Sequence, residues 1–434
     1  MLRLCYRRIT GLKTFNNVFN LSHSKRMKNE TRWVVMGVAA LLVMLPGYLP
    51  LYGASKPCVV IISFDGFRGD YPETVHLATF DSLARVGVRA DLKPAFPSIT
   101  FPNHYTLATG LYPDHHGIVA NSFYDPKSDR QYSIGNRSAV EDASFYGGEP
   151  VWVTAEKQGL RTASFFWVGS EAPIKGRYPT FWKKYDQKVP FSARVDTVMQ
   201  WLSQPEDIRP QLVLLYYHEP DASGHRYGPE SKEVAECLVD LDRKLAELTG
   251  KLKQLPCFSE INFIIVSDHG MEATNRFRSV NLSNYLNTAW FSKIEGSSPV
   301  LMFKVKDEYR EKAFNALKQF SHCRVWKSQE MPPKLHYGKN QRTLDFVLLA
   351  DSGWSIKLND NDQVPAGSHG FDPDDRKMHA IFYASGPSFK KGYTAKGINT
   401  IDIYPLICRL LNIRPESVDG RIDRVIDMLN NKFW

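Results

Sequence analysis

The sequence predicts an α/β fold, a doubly wound and mostly parallel sheet with helices on both faces. Three observations carry that expectation: short unbroken apolar runs that end in an acidic residue, helical patterns between them, and regular alternation of the two. Runs this short, rich in β-branched and large apolar residues, suit strands buried on both faces. Alternating strand and helix then implies right-handed crossovers that cover both sides of one sheet.

From the N-terminus, the first feature is charge. Arg3, Arg7, Arg8, Lys13, Lys25, Arg26, Lys28 and Arg32 stand against Glu30, so +7 of the formal net charge of +9 lies in residues 1–33 and about +2 remains for the rest. That nearly neutral remainder argues against a surface that coats nucleic acid. Trp33 to Ser55, WVVMGVAALLVMLPGYLPLYGAS, carries no charge and reads as a targeting segment. Its basic flank and the small residues Gly53, Ala54 and Ser55 fit a signal peptide starting at Met27, and Pro46 and Pro50 favour cleavage. The rival is an uncleaved signal anchor, which would be the chain's only membrane contact. Either way residues 56–434 are expected outside the cytoplasm, as one large domain following a leader over residues 1–55.

Beyond the leader, Cys58, Cys237, Cys257, Cys323 and Cys408 are scattered singly. That spacing makes neither a disulfide scaffold nor a cysteine metal site, and leaves room for one or two bridges with at least one free thiol.

The strands come next. Residues 59–65 read VVIISFD, residues 212–221 LVLLYYHEPD and residues 263–269 FIIVSDH. Leu77, Phe80, Leu83 and Val86 recur at helical spacing, as do Leu238, Leu241, Leu245, Leu248 and Leu252. In doubly wound sheets ligands sit beyond the carboxyl ends of the strands, where Asp65, Asp221, Asp268 and His269 all fall. Asp65 before Gly66 is by itself an ordinary turn residue. Several carboxylates and an imidazole at one rim repel unless a cation joins them. His225, four residues after Asp221, and His369, in AGSHG, complete six nitrogen and oxygen donors without sulfur. That set suits two zinc ions, with manganese or iron left open by ligand type.

One threonine stands out in SITFPNHYTLATG, residues 98–110. Pro102 suits the first turn of a helix and Gly110 its stop, so Thr100 begins a helix. As an N-cap its hydroxyl satisfies one orphan donor, worth about 1 kcal/mol. The same place is an anion site, because backbone N–H groups and the positive helix end converge there. A bare hydroxyl is a poor nucleophile, and metal coordination is one way to activate it.

These residues carry a family resemblance. FDGFRGDY at 64–71, ITFPNHYTLATGLYPDHHGIVANSFYDP at 99–126, EPDASGHRYGP at 219–229, SDHGM at 267–271 and GSHGFDP at 367–373 resemble the nucleotide pyrophosphatase/phosphodiesterase family of the alkaline phosphatase superfamily. The resemblance covers roughly residues 58–430 and implies an alkaline phosphatase-like fold. It implies two zinc ions, one held by Asp221, His225 and His369, the other by Asp65, Asp268, His269 and the Thr100 oxygen. It implies that Thr100 is the nucleophile of a phosphothreonine intermediate and that Asn121 binds phosphate.

The implied substrate is a small molecule, a nucleotide or another phosphodiester. Members divide between nucleotides, cleaved to nucleoside 5'-monophosphates, and phospholipid or choline esters. Phe101 and Tyr185 match positions that sandwich a base, and the alternative is that both belong to the core. Trp167 and Glu171 match a neighbouring part of the pocket, with Glu in place of an Asp. His104 is read as a support behind the donors or as structural, His115 and His116 as loop residues, and Glu219 and Pro220 as shaping the turn before Asp221. Residues about 300–350, including YREKAFNALKQF, interrupt the alternation and are expected to form a small α+β insert. ITFPN lacks a sulfatase signature, and no extra positive groups mark a phosphomonoesterase. The complete donor set argues against a noncatalytic binding ectodomain.

Overall fold

The computed structural model describes residues 56–284 and 286–430; the leader expected over residues 1–55, signal peptide or anchor, lies outside them. Among the described residues no helix is long and apolar enough to cross a membrane. Eight strands line up in the main sheet, in the order Tyr393–Thr394, Val88–Lys93, Ala380–Ser385, Ile261–Val266, Cys58–Phe64, Leu212–Tyr217, Thr162–Phe165 and Phe181–Lys183, and Ile398–Asn399 also pairs with Val88–Lys93. The last five of that series run parallel, while Ala380–Ser385 is antiparallel to both neighbours.

Alternation along Cys58–Phe64 explains the two layers of helices. Val59 and Ile61 point into one core with Tyr105, Leu107 and Trp152, while Val60, Ile62 and Phe64 point into another with Phe80, Val195 and Leu245. The second core is closed by the helix Lys232–Leu252, which starts where the Ser231 side chain accepts the Val234 N–H and buries Leu238, Leu241, Leu245, Leu248 and Leu252 along one stripe. Truncating Leu245 to Ala there costs about 2–5 kcal/mol. The shorter helix Ala78–Val86 buries Phe80 but leaves Val86 exposed, since the chain turns at Gly87 into the next strand. A Cβ at Gly87 would lie 2.1 Å from the Ala384 carbonyl oxygen, which excludes any larger residue.

A second, antiparallel sheet orders Phe291–Ser297, Val300–Val305, Phe346–Ala350 and Cys323–Lys327, with the helix Arg310–Leu317 packed on it. This separate layer begins at Phe291, ahead of the start expected near residue 300. Neither of the bridges for which the spacing left room forms among the described residues. All five in the described residues are free thiols, with Cys58, Cys257 and Cys408 each buried.

Candidate active site

The carboxyl ends of the central strands deliver the donors. Asp65 directly follows Cys58–Phe64, and Asp268 and His269 follow Ile261–Val266 by two and three residues. Asp221 opens the helix Asp221–Tyr227, which the strand reading of LVLLYYHEPD did not anticipate, and that helix sets His225 four residues on, on the same face. His369 follows the short strand Gly367–Ser368, paired with Glu272–Ala273. Gly66 permits the crowding: its φ is +68°, and a Cβ there would lie 2.8 Å from the Asp221 Cβ.

Two adjoining groups result, joined where the His269 and His369 rings stack 3.6 Å apart. In the first, His225 Nε2 and His369 Nε2 are 3.1 Å apart and lie 3.4 and 3.5 Å from Asp221 Oδ1. In the second, His269 Nε2 lies 3.0 Å from Asp268 Oδ2 and 3.5 Å from Asp65 Oδ1. Thr100 Oγ1 is 3.2 Å from the same His269 nitrogen.

Tautomers follow from the backbone. Each of the three histidines turns Nδ1 to a carbonyl oxygen: His225 to Gly367 at 2.8 Å, His369 to Ser98 at 2.9 Å, His269 to Gly270 at 2.8 Å. Nδ1 therefore carries the proton and donates, so in the neutral ring Nε2 presents a lone pair inward. Asp65 Oδ1, Asp221 Oδ1 and Asp268 Oδ2 are buried with no hydrogen-bond partner. Facing lone pairs and orphaned carboxylate oxygens are costly unless a cation gathers them, so these residues fit divalent metal. Burial, then the charges of Asp268 and Asp221, push the Asp65 carboxyl well above its usual range. Burial, then His269 and His225, push His369 well below its own.

Supporting contacts fix the donors. Tyr216 donates its hydroxyl to Asp65 Oδ2 at 2.7 Å, and the Gly66 N–H donates to Asp268 Oδ1 at 3.1 Å. Sequence reasoning passed over Tyr216. Its place is set by strand register, since Tyr216 pairs with Ser63, two residues before Asp65. His104 is fully buried, with Nε2 2.8 Å from Ser63 Oγ and Nδ1 3.0 Å from the Thr100 carbonyl oxygen. His116 is buried against the Thr106 hydroxyl and His115 pairs with Asp419, both apart from the donor groups.

Thr100 is the first residue of the helix Thr100–Thr109, which ends at Gly110 with φ +67°. Ile99 occupies the cap position without a side-chain bond, so the threonine hydroxyl is not spent on capping. Asn121 Oδ1 accepts the Phe101 N–H at 3.0 Å, and its amide nitrogen is the group left to donate.

The other predicted contacts are spread out. Trp167, only 1% exposed, sits behind His104 and donates its indole N–H to the His104 carbonyl at 3.1 Å, so it offers no open face. Glu171 is engaged by Arg137 and by the Tyr185 N–H at 3.0 Å. Half-buried Tyr185 packs 5.1 Å from Phe166, and half-buried Phe101 leans on Tyr132 at 6.4 Å.

Residues 59–372 match the family described as Type I phosphodiesterase / nucleotide pyrophosphatase. A venom phosphodiesterase of Crotalus durissus collilineatus is 35% identical over 394 residues, covering 88% of this chain and 47% of its own length. The chain thus spans about half the length of the venom enzymes it matches. Ectonucleotide pyrophosphatase/phosphodiesterase family member 5 of Homo sapiens is 35% identical over 375 residues, 86% of this chain and 78% of that protein. A solved structure of the murine family member 5, an inactive threonine-to-alanine form in complex with AMP, aligns with TM-score 0.84 at 33% identity over 86% of this chain and 100% of its own.

Proposed function

The chain belongs to the type I phosphodiesterase/nucleotide pyrophosphatase family, and from that premise we propose that it hydrolyses nucleotide phosphodiester or pyrophosphate bonds to nucleoside 5'-monophosphates, with Thr100 as nucleophile. The observation that carries this reading is the Thr100 hydroxyl, 3.2 Å from a histidine nitrogen that belongs to a buried set of otherwise unpartnered donors. The AMP held by the murine relative supports a nucleotide substrate. Asp221, His225 and His369 would hold one zinc ion, and Asp65, Asp268 and His269 with Thr100 the other. When bound, such a pair supplies Lewis acidity, offsetting phosphate charge and favouring the ionised threonine oxygen.

The chain's own groups do the rest. Thr100 Oγ1 loses its proton and forms a bond to phosphorus while the bond to the leaving oxygen breaks, giving a phosphothreonine. Water then attacks the same phosphorus, restoring the hydroxyl and releasing the monophosphate. The Asn121 amide donates to a non-bridging oxygen where negative charge gathers, at the positive end of the helix Thr100–Thr109. Phe101 and Tyr185 flank the base, and Glu171 with Arg137 fixes the Tyr185 backbone. Trp167 acts from behind, by holding the His104 carbonyl. The relatives' designation as venom and ectoenzyme proteins, with the targeting segment, supports an extracytoplasmic location.

A substrate panel tests the assignment. The p-nitrophenyl ester of thymidine 5'-monophosphate should turn over much faster than p-nitrophenyl phosphate, and ATP or a dinucleoside polyphosphate faster than glycerophosphocholine or a lysophospholipid. Preference for the monoester overturns the diesterase assignment, and preference for the lipid-derived compounds overturns the nucleotide one.

A further inference from the structure

Asn121 sits in a loop that is held from outside the main sheet. The short segment from Tyr337 to Arg342, between the insert strands Cys323–Lys327 and Phe346–Ala350, reaches that loop at three points. The Tyr337 hydroxyl donates to the Val119 carbonyl at 3.0 Å. Arg342 Nη1 donates to the Gly117 carbonyl at 2.7 Å and the Phe145 carbonyl at 2.6 Å, and Nη2 donates to the Asp125 carboxylate at 3.0 Å. Its guanidinium also lies over the rings of Phe123 and Phe145, 5.1 and 5.7 Å from their centroids.

Gly117, Val119 and Asp125 bracket Asn121 on both sides. The segment that grips them is itself fixed, because the Asp114 carboxylate accepts the N–H groups of Gly338, Lys339 and Asn340 at 3.0, 2.7 and 3.2 Å. A largely buried cation that meets two carbonyls, one carboxylate and two aromatic faces has a single low-energy position. It therefore transmits the geometry of the insert to the loop. The direct tie of the Asn121 side chain to the nucleophile's helix is one bond, from the Phe101 N–H, so the loop backbone must set the remaining coordinates.

We propose that the insert is part of the catalytic apparatus: its segment Tyr337 to Arg342 fixes the loop that aims Asn121 at the phosphoryl oxygen, and Arg342 is the positioning residue. This rests on the role given to Asn121 above. A misplacement of about 1 Å at such a donor costs on the order of 10²-fold in rate, so the grip has a measurable kinetic value.

A double-mutant cycle on the full chain, loaded with zinc, tests it. Asn121→Ala should lower kcat by about 10²- to 10³-fold. Arg342→Met should lower kcat by about 10- to 100-fold with KM and metal content nearly unchanged, and Arg342→Lys should recover part of the loss. On the Asn121→Ala background the Arg342→Met loss should disappear, since the group it positions is gone. Should Arg342→Met fail to fold, Tyr337→Phe keeps the ring and removes one hydrogen bond; its loss of about two- to tenfold should likewise vanish without Asn121. Losses that multiply in the double variants overturn the positioning role while leaving the proposed function intact. An Asn121→Ala enzyme of normal kcat removes the role of Asn121 itself, and the positioning role with it.

Discussion

The two sides of the active site are built by opposite rules. On the side that fits metal, Asp65, Asp268 and His269 stand just beyond central strands, Asp221 and His225 share one helix, and His369 follows a short outlying strand, with each histidine turning Nδ1 to the backbone carbonyl of another residue. On the side expected to hold the base, Phe101, Tyr185 and Glu171 come from a helix start and from loops beyond the strands, and they lean on neighbouring aromatics or an arginine. The first side needs particular atoms at particular places, so few residue types will serve. The second needs an apolar wall of suitable shape, which many residues can make. Substitutions of the aspartates and histidines should therefore act on kcat and metal content, that of Thr100 on kcat alone, and those on the wall on KM.

The largest contrast comes from Thr100→Ala, which should reduce turnover by at least about 10⁴-fold while zinc content stays near normal, read by steady-state kinetics with elemental analysis. Retained turnover removes Thr100 from the nucleophile role. Chelation comes next. Stripping the metal should abolish activity and lower Tm by several degrees, because Asp65, Asp221 and Asp268 then crowd together with unpartnered oxygens; scanning calorimetry with and without added zinc reads it. An unchanged Tm would mean that the donors hold no structural cation.

The smallest effects belong to the wall. Phe101→Ala and Tyr185→Ala should each raise KM for nucleotide substrates by about 5- to 150-fold, the equivalent of roughly 1–3 kcal/mol per stacked base, with little change for an ester that lacks a base. Equal losses for both ester types would return the two rings to the core.

That same division explains what was legible in the sequence. Acidic residues closing apolar runs pointed to Asp65 and Asp268, because several such endings at one sheet rim repel one another unless a cation joins them. His225 was readable from its distance to Asp221, which a helix turns into adjacency. Tyr216 was not, because its contact with Asp65 depends on the register of two strands far apart in the chain. Trp167 was read as pocket lining, yet aromatic composition cannot tell a ring that faces substrate from one that backs a histidine. The start of the insert was placed late because Phe291–Ser297, FSKIEGS, offers only Phe291 and Ile294 as large apolar residues and lacks the continuous apolar run of a central strand. Cysteine pairing was left open because spacing along the chain says nothing about where buried thiols lie.

The central claim is that two cations are gathered at the sheet rim beside one threonine. Anomalous diffraction at the zinc edge from zinc-loaded crystals tests it most directly. The account expects two peaks, one among Asp221, His225 and His369 and one among Asp65, Asp268 and His269 with Thr100 Oγ1 alongside. Zinc-loaded crystals with no peak in either group, or with zinc bound only elsewhere, would contradict it.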